Sequence, residues 1–150
     1  MKNVDYHNLD PIQKALLLAA AEVMEKAYNP YSKFFVGAAL RTKNGGVITG
    51  ANVENAAYGS CICAERSALV SANSFGQREF TAIAIIARHE IGGTKQVTAP
   101  CGSCRQMLLE ASHVSSFDIE VIMATTDMKK IIISTIGELL PLGFGPNYLK

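Results

Sequence analysis

Residues 82–87 read Ala-Ile-Ala-Ile-Ile-Ala, six apolar residues in a row. Such a run, too short for a buried helix, suits a strand covered on both faces, because an open face would demand alternating polar residues. Residues 119–124 carry a second run of this kind, interrupted only by Glu120. Two doubly covered strands require helices above and below one sheet, and the rest of the chain supplies them. Asp10-Pro11-Ile12-Gln13 has the form of a capping box with proline in the first helical position. After it, Leu16, Leu17, Ala20, Val23, Met24 and Ala27 recur at helical spacing up to Asn29-Pro30.

Residues 34–42 and 47–52 suit strands, and Lys43-Asn44-Gly45-Gly46 between them is a strong hairpin signal, so these two strands are expected to be antiparallel neighbours. Residues 63–74 and 101–111 read as helices, 130–134 as a last strand and 137–140 as a short closing turn of helix. The order is helix, hairpin, then helix and strand in alternation. It predicts one mixed sheet with helices on its faces, and no repeat, linker or low-complexity stretch divides the chain.

Composition narrows the function. Of 150 residues, 18% are charged, against roughly 25% in an average soluble protein, and 49% are apolar. Intrinsic disorder is excluded. A formal net charge of +1, with no block of like charge, lacks the surplus needed to hold nucleic acid through its phosphates, so nucleic acid is not expected as the main partner. So few charges on a small domain suggest that some of the surface is buried in an oligomer. The apolar run at 15–21 has acidic flanks where a signal peptide needs basic ones, and nothing approaches the roughly 20 apolar residues of a membrane span. A cytoplasmic location is expected. Cys61, Cys63, Cys101 and Cys104 are therefore read as thiols or metal ligands before disulfides.

Cys63, Cys101 and Cys104 fall at the expected starts of two helices. Positions 101 and 104 are helix-surface neighbours whose sulfurs can converge on one ion. Tetrahedral zinc at about 2.3 Å from each sulfur needs the sulfurs roughly 3.8 Å apart, which such a pair can reach. With Cys63 as third ligand a fourth position stays open for water, the pattern of catalytic zinc; a redox dithiol or half of a structural site would present the same C-x-x-C. Glu65 discriminates among them: a closed structural site has no need of a carboxylate two residues after a ligand, whereas hydrolysis needs a group that moves protons. Cys61, two residues from Cys63 in an extended approach, points to the opposite side and is read as a packed hydrophobe. Arg66 and Arg105 each follow the ligand region directly. Hydrogen bonds from them to the sulfurs would draw charge off three thiolates; the alternative for Arg105 is a solvated surface cation.

Five segments together resemble the small zinc-dependent cytidine deaminases. They are residues 29–40 (NPYSKFFVGAAL), 50–58 (GANVENAAY), 63–66 (CAER), 100–106 (PCGSCRQ), and Glu138-Leu139-Leu140-Pro141 with Phe144-Gly145-Pro146. Cysteine stands at position 63 where nucleic-acid-editing deaminases carry histidine, which fits the three-cysteine branch acting on free nucleosides. The resemblance implies a three-layer α/β/α sandwich around a mixed five-stranded sheet, with residues 1–150 forming a single deaminase domain. It implies one Zn²⁺ per subunit on Cys63, Cys101 and Cys104, Glu65 as proton shuttle, and Arg66 supporting the ligands. The substrate would touch Phe34, Asn52, Val53, Glu54, Asn55, Ala56, Ala57, Tyr58, Ala64 and Phe144. Asn52 and Glu54 would bind the ribose 3′-hydroxyl, Ala56 and Tyr58 would reach the sugar from a neighbouring subunit, Phe144 would close over the base, and the active site would be completed across the interfaces of a homotetramer. The implied reaction turns cytidine and deoxycytidine into uridine and deoxyuridine with release of ammonia, in pyrimidine salvage. Deamination of a nucleoside antibiotic and RNA editing are the alternatives. His7, His89 and His113 match no motif and are read as surface or packing residues.

Overall fold

A computed structural model of the chain describes residues 1–149. Asp10 caps the first helix, α1 (Pro11–Met24), as expected: its carboxylate accepts from the backbone N–H of Ile12 and Gln13, and the Gln13 side chain accepts from the Asp10 N–H. Leu16, Leu17, Ala20 and Met24 form its buried stripe. The hairpin follows as β2 (Phe34–Thr42) and β3 (Val47–Ala51), then α2 (Ala64–Ser74), β4 (Phe80–His89), α3 (Gly102–Ser115), β5 (Glu120–Thr125), β6 (Ile131–Thr135) and a single-turn α4 (Ile136–Leu139). The sheet has six strands where the sequence implied five. The extra strand, β1 (Lys2–Asn3), pairs with the outer edge of β6, so the order is β1-β6-β5-β4-β2-β3. Two residues carry no readable period of their own, and only the exposed edge of β6 defines them as a strand. Neighbours are antiparallel except β4 and β5, which run parallel.

Alternation sorts the core into two halves. Ala38, Leu40, Ile83, Ile85, Val121 and Met123 pack on the side of α2 and α3, whereas Ala39, Ala84, Ile86, Ile122 and Ala124 pack on the side of α1. The result is the expected three-layer sandwich. Each fully buried Leu or Ile in these layers contributes about 2 kcal/mol.

Two strand glycines set how closely the layers approach. A Cβ on Gly37 would run into the Ala20 carbonyl oxygen and come within 2.8 Å of Met24 Cβ on α1; one on Gly50 would run into Ala68 N and lie 2.5 Å from the Ala64 carbonyl oxygen on α2. Gly37 pairs with Ala51 and Gly50 with Ala38, on adjacent rungs of one hairpin, so α1 and α2 press on the same place from opposite sides. This close approach brings the start of α2 to the end of β3, where the candidate site lies.

Candidate metal centre and active site

Cys63 is the N-cap of α2 and Cys101 the N-cap of α3, both with extended backbone, and Cys104 lies in the first turn of α3. Their sulfurs all lie within 4.8 Å of one another, with 3.9 Å between Cys63 and Cys101 and 3.4 Å between Cys101 and Cys104. Tetrahedral zinc–thiolate geometry needs separations of about 3.8 Å, so small side-chain adjustments suffice, and the donor set fits zinc. Two helix N-termini point at the cluster and favour negative charge there. Hydrogen bonding from Cys104, followed by that from Arg66 and Cys101, lowers the Cys63 pKa to about 5. The buried Cys104 thiol, acting as donor to Cys63, is held well above its ordinary value.

Arg66 reaches back from α2, with Nη2 donating to the Cys61 carbonyl oxygen at 3.0 Å and lying 3.7 Å from Cys63 Sγ. Arg105 departs from both expectations made for it. It touches no cysteine sulfur and is not a solvated cation: its Nε donates to the Pro100 carbonyl oxygen at 2.8 Å and its Nη1 to that of Leu139 at 2.9 Å.

Glu65, only 4% exposed, sits beside the sulfurs in the first turn of α2. Burial disfavours its charged form and raises its pKa to about 7, with the neighbouring Cys63 charge adding to the rise. A carboxyl at that value is populated in both protonation states near neutrality, as a group that takes and returns a proton must be.

The cluster forms one end of a cavity of about 320 Å³ whose lining includes Phe34, Asn52, Val53, Glu54, Cys63, Glu65 and Cys101. Phe34 opens β2, and Asn52 follows β3 directly. The Asn52 amide continues the sheet by its side chain, accepting from Val36 N at 2.8 Å and donating to the Phe34 carbonyl oxygen at 2.9 Å. Glu54 accepts from the backbone N–H of Tyr31 and Ser32, and hydrogen bonding from the Ser32 side chain does most to lower its pKa.

The remaining expected contacts lie elsewhere. Asn55, Ala56, Ala57 and Tyr58 form an exposed loop; Tyr58 lines an adjoining cavity with Tyr31, Ser32, Glu54 and Cys61. The Ala64 side chain is fully buried in the core. Phe144 is 56% exposed, stacked on Tyr148 outside this cavity, with its carbonyl oxygen held by Gln106 Nε2 at 2.7 Å. Cys61 is not the packed hydrophobe expected from the sequence. It is half-buried, faces both cavities, and its sulfur accepts from the Asn55 N–H at 3.3 Å, pinning the loop. The cavity also uses Ser32, Val36, Ile62, Thr98 and Ala99. Ser32 and Val36 lie inside the first family-like segment and Thr98-Ala99 immediately before Pro100-Cys101, but small and apolar residues carry no chemical signal of their own.

The zinc-binding region of cytidine and deoxycytidylate deaminases matches residues 11–118. A cytidine deaminase from Halalkalibacterium halodurans is 44% identical over 134 residues, covering 88% of this chain and 93% of that protein. A blasticidin-S deaminase from Bacillus cereus is 31% identical over 144 residues, covering 93% and 97%. The crystal structure of a cytidine deaminase from Burkholderia pseudomallei superposes with a TM-score of 0.77 at 45% identity, covering 87% of this chain and 98% of that one. Three converging cysteines at the ends of two helices, the sandwich that brings them together and these likenesses lead to one assignment: the chain belongs to the cytidine and deoxycytidylate deaminase family and binds zinc through Cys63, Cys101 and Cys104.

Proposed function

We propose that this chain, acting as one deaminase domain, hydrolyses cytidine and deoxycytidine to uridine and deoxyuridine with release of ammonia, as a cytoplasmic enzyme of pyrimidine salvage. The observation that carries the reading is the buried Glu65 beside three converging sulfurs at the end of a nucleoside-sized cavity. Zinc, when bound, supplies the Lewis acidity that makes water a nucleophile near neutral pH. Glu65 takes the proton from the attacking water as the new C4–O bond forms, and gives it to ring N3. It then passes the second water proton to the amino group, the C4–N4 bond breaks, and ammonia leaves a C4 carbonyl behind. Arg66 steadies the Cys63 ligand through the sulfur and the Cys61 carbonyl.

Asn52 and Glu54 bind the ribose with what their backbone bonds leave over: Asn52 keeps a second amide hydrogen beyond the one given to Phe34, and Glu54 keeps Oε1 while Oε2 accepts from Tyr31 and Ser32, so a sugar hydroxyl gains bonds here that a free base cannot make. No Lys, Arg or His lines the cavity, whereas two carboxylates do. A 5′-phosphate therefore finds no cation, which favours the nucleoside over its monophosphate; the higher identity to cytidine deaminases than to the blasticidin-S enzyme supports the ordinary nucleoside. Val53 and Phe34 pack against the substrate from this chain. In a homotetramer the loop bearing Asn55, Ala56, Ala57 and Tyr58, and the aromatic Phe144, complete a neighbour's pocket, with Ala64 contributing backbone only. Exposed Val70, Phe75, Val114 and Phe117 give the α2 and α3 side the apolar surface such an assembly buries.

The test combines zinc quantitation with an ultraviolet assay of cytidine conversion, for the natural protein and Glu65→Ala. Zinc kept in both, with turnover lost only in the variant, is the expected outcome; zinc bound without turnover by the natural protein ends the deaminase reading.

A further inference from the structure

A helix N-cap is ordinarily fixed by its own side chain, which accepts from the first-turn N–H groups. Neither Cys63 nor Cys101 does this, since neither makes a side-chain cap hydrogen bond. At both places an arginine from the first turn reaches back to a carbonyl just ahead of the ligand instead: Arg66 to Cys61, and Arg105 to Pro100. The two devices then differ. Arg66 spends its remaining reach on the Cys63 sulfur, whereas Arg105 spends it on the Leu139 carbonyl at the end of α4. Among the described residues Arg105 forms no ion pair. A guanidinium bonded only to neutral carbonyls from two separate segments is placed by its geometry, because its rigid fork can reach both while an ammonium is a single point.

We propose that Arg105 is a positioning residue of the metal centre: it clamps the turn carrying Cys101 against the end of α4, so that Cys101 and Cys104 are held ready to share one ion. The proposal rests on the zinc reading above. Cys101 is the most exposed of the three ligands, and the residue before it is the one that Arg105 holds. The neighbouring Gln106 grips Phe144, so the first turn of α3 anchors the metal turn and the carboxy-terminal segment together.

The experiment is the rate at which zinc-loaded protein surrenders its metal to a chromophoric chelator. It compares the natural protein with Arg105→Gln, Arg105→Lys and Arg88→Gln, the last losing an arginine clamp on Glu25 at the far end of α1. Both Arg105 variants are expected to release zinc roughly ten- to a hundred-fold faster, and Arg88→Gln at the natural rate. The absorption bands of cobalt-substituted protein should shift in the Arg105 variants alone. Natural release from Arg105→Gln overturns the clamp. So does full rescue by Arg105→Lys, which would make charge rather than the fork responsible, or equal acceleration in Arg88→Gln, which would make it general loosening. If Arg105→Gln does not fold, Arg105→Lys decides by the same readout. Because no step is read through turnover, a failure to convert cytidine would overturn the proposed reaction and leave the clamp standing.

Discussion

Asn52 works in two directions. Its backbone N–H donates to Val36 at 3.2 Å, and its amide satisfies Val36 N and Phe34 O where the strand pairing has ended. Asn52→Ala therefore leaves a backbone donor and acceptor without partners beside the cavity. It should cost about 2 kcal/mol of stability, seen in a urea titration, in addition to raising the KM for cytidine. Asn52→Asp retains the acceptor for Val36 and should lose less stability than affinity. Residues of this kind are only half legible in the sequence. The ligand cysteines and Glu65 announce themselves by type and spacing, because thiolates and a carboxylate at a helix start have few other uses together. The partners of Arg105 do not, because a backbone carbonyl leaves no mark in a sequence, and α4 comes beside α3 only through the tertiary fold.

The hairpin of β2 and β3 is readable because a continuous run of apolar and small residues from Phe34 to Leu40 and the turn Lys43-Asn44-Gly45-Gly46 act locally. β1 is not, since it exists only as a pair with β6. The glycines at 37 and 50 act as contact points, each standing where a helix backbone or Cβ fills the space of a side chain. Gly50→Ala pushes a methyl into the backbone of α2, which cannot yield as a side chain would. A loss of about 3 kcal/mol in unfolding free energy is expected, with zinc released more readily because α2 carries Cys63. At the end of α1, Arg88 donates to both Glu25 oxygens, at 2.9 and 2.6 Å, and this hydrogen bonding lowers the Glu25 pKa from 4.5. A lowered carboxylate stabilises the fold above its unfolded value and loses that contribution as pH falls through the folded one. The difference in thermal midpoint between the natural protein and Glu25→Gln should thus be present at pH 7 and vanish in acid below 4.5. With Glu25 largely exposed, the difference is under about 1 kcal/mol.

On the scale of the molecule, zinc joins the starts of two helices whose ligands stand 38 positions apart. An ion bound only by the folded arrangement stabilises it by mass action, so stripping the metal should lower the thermal midpoint by at least about 5 °C, with recovery on adding zinc back. The proposed homotetramer gives Phe144→Ala a distinctive phenotype. Sedimentation velocity should find the natural mass of four chains, zinc content should be unchanged, and kcat/KM for cytidine should fall by about tenfold or more, as follows from the proposed role of Phe144 in completing a neighbour's pocket. One mixed sheet with helices on its faces and the metal cluster follow from local pattern; the surfaces that the proposed homotetramer would bury do not, because exposed apolar residues do not name their partner.

The adjacent rungs where Gly37 and Gly50 let both helices onto one hairpin have a consequence in time as well as in space. Layers locked at backbone distance cannot separate independently of each other, so amide protons of β2 around Gly37 should exchange with deuterated solvent only through global opening. The exposed turn 43–46 at the far end of the same hairpin should exchange orders of magnitude sooner. Val36 and Asn52, which line the cavity, stand next to these rungs, so one wall of the cavity belongs to the slowest-opening region of the molecule, and the start of α2 with Cys63 and Glu65 keeps its place against it.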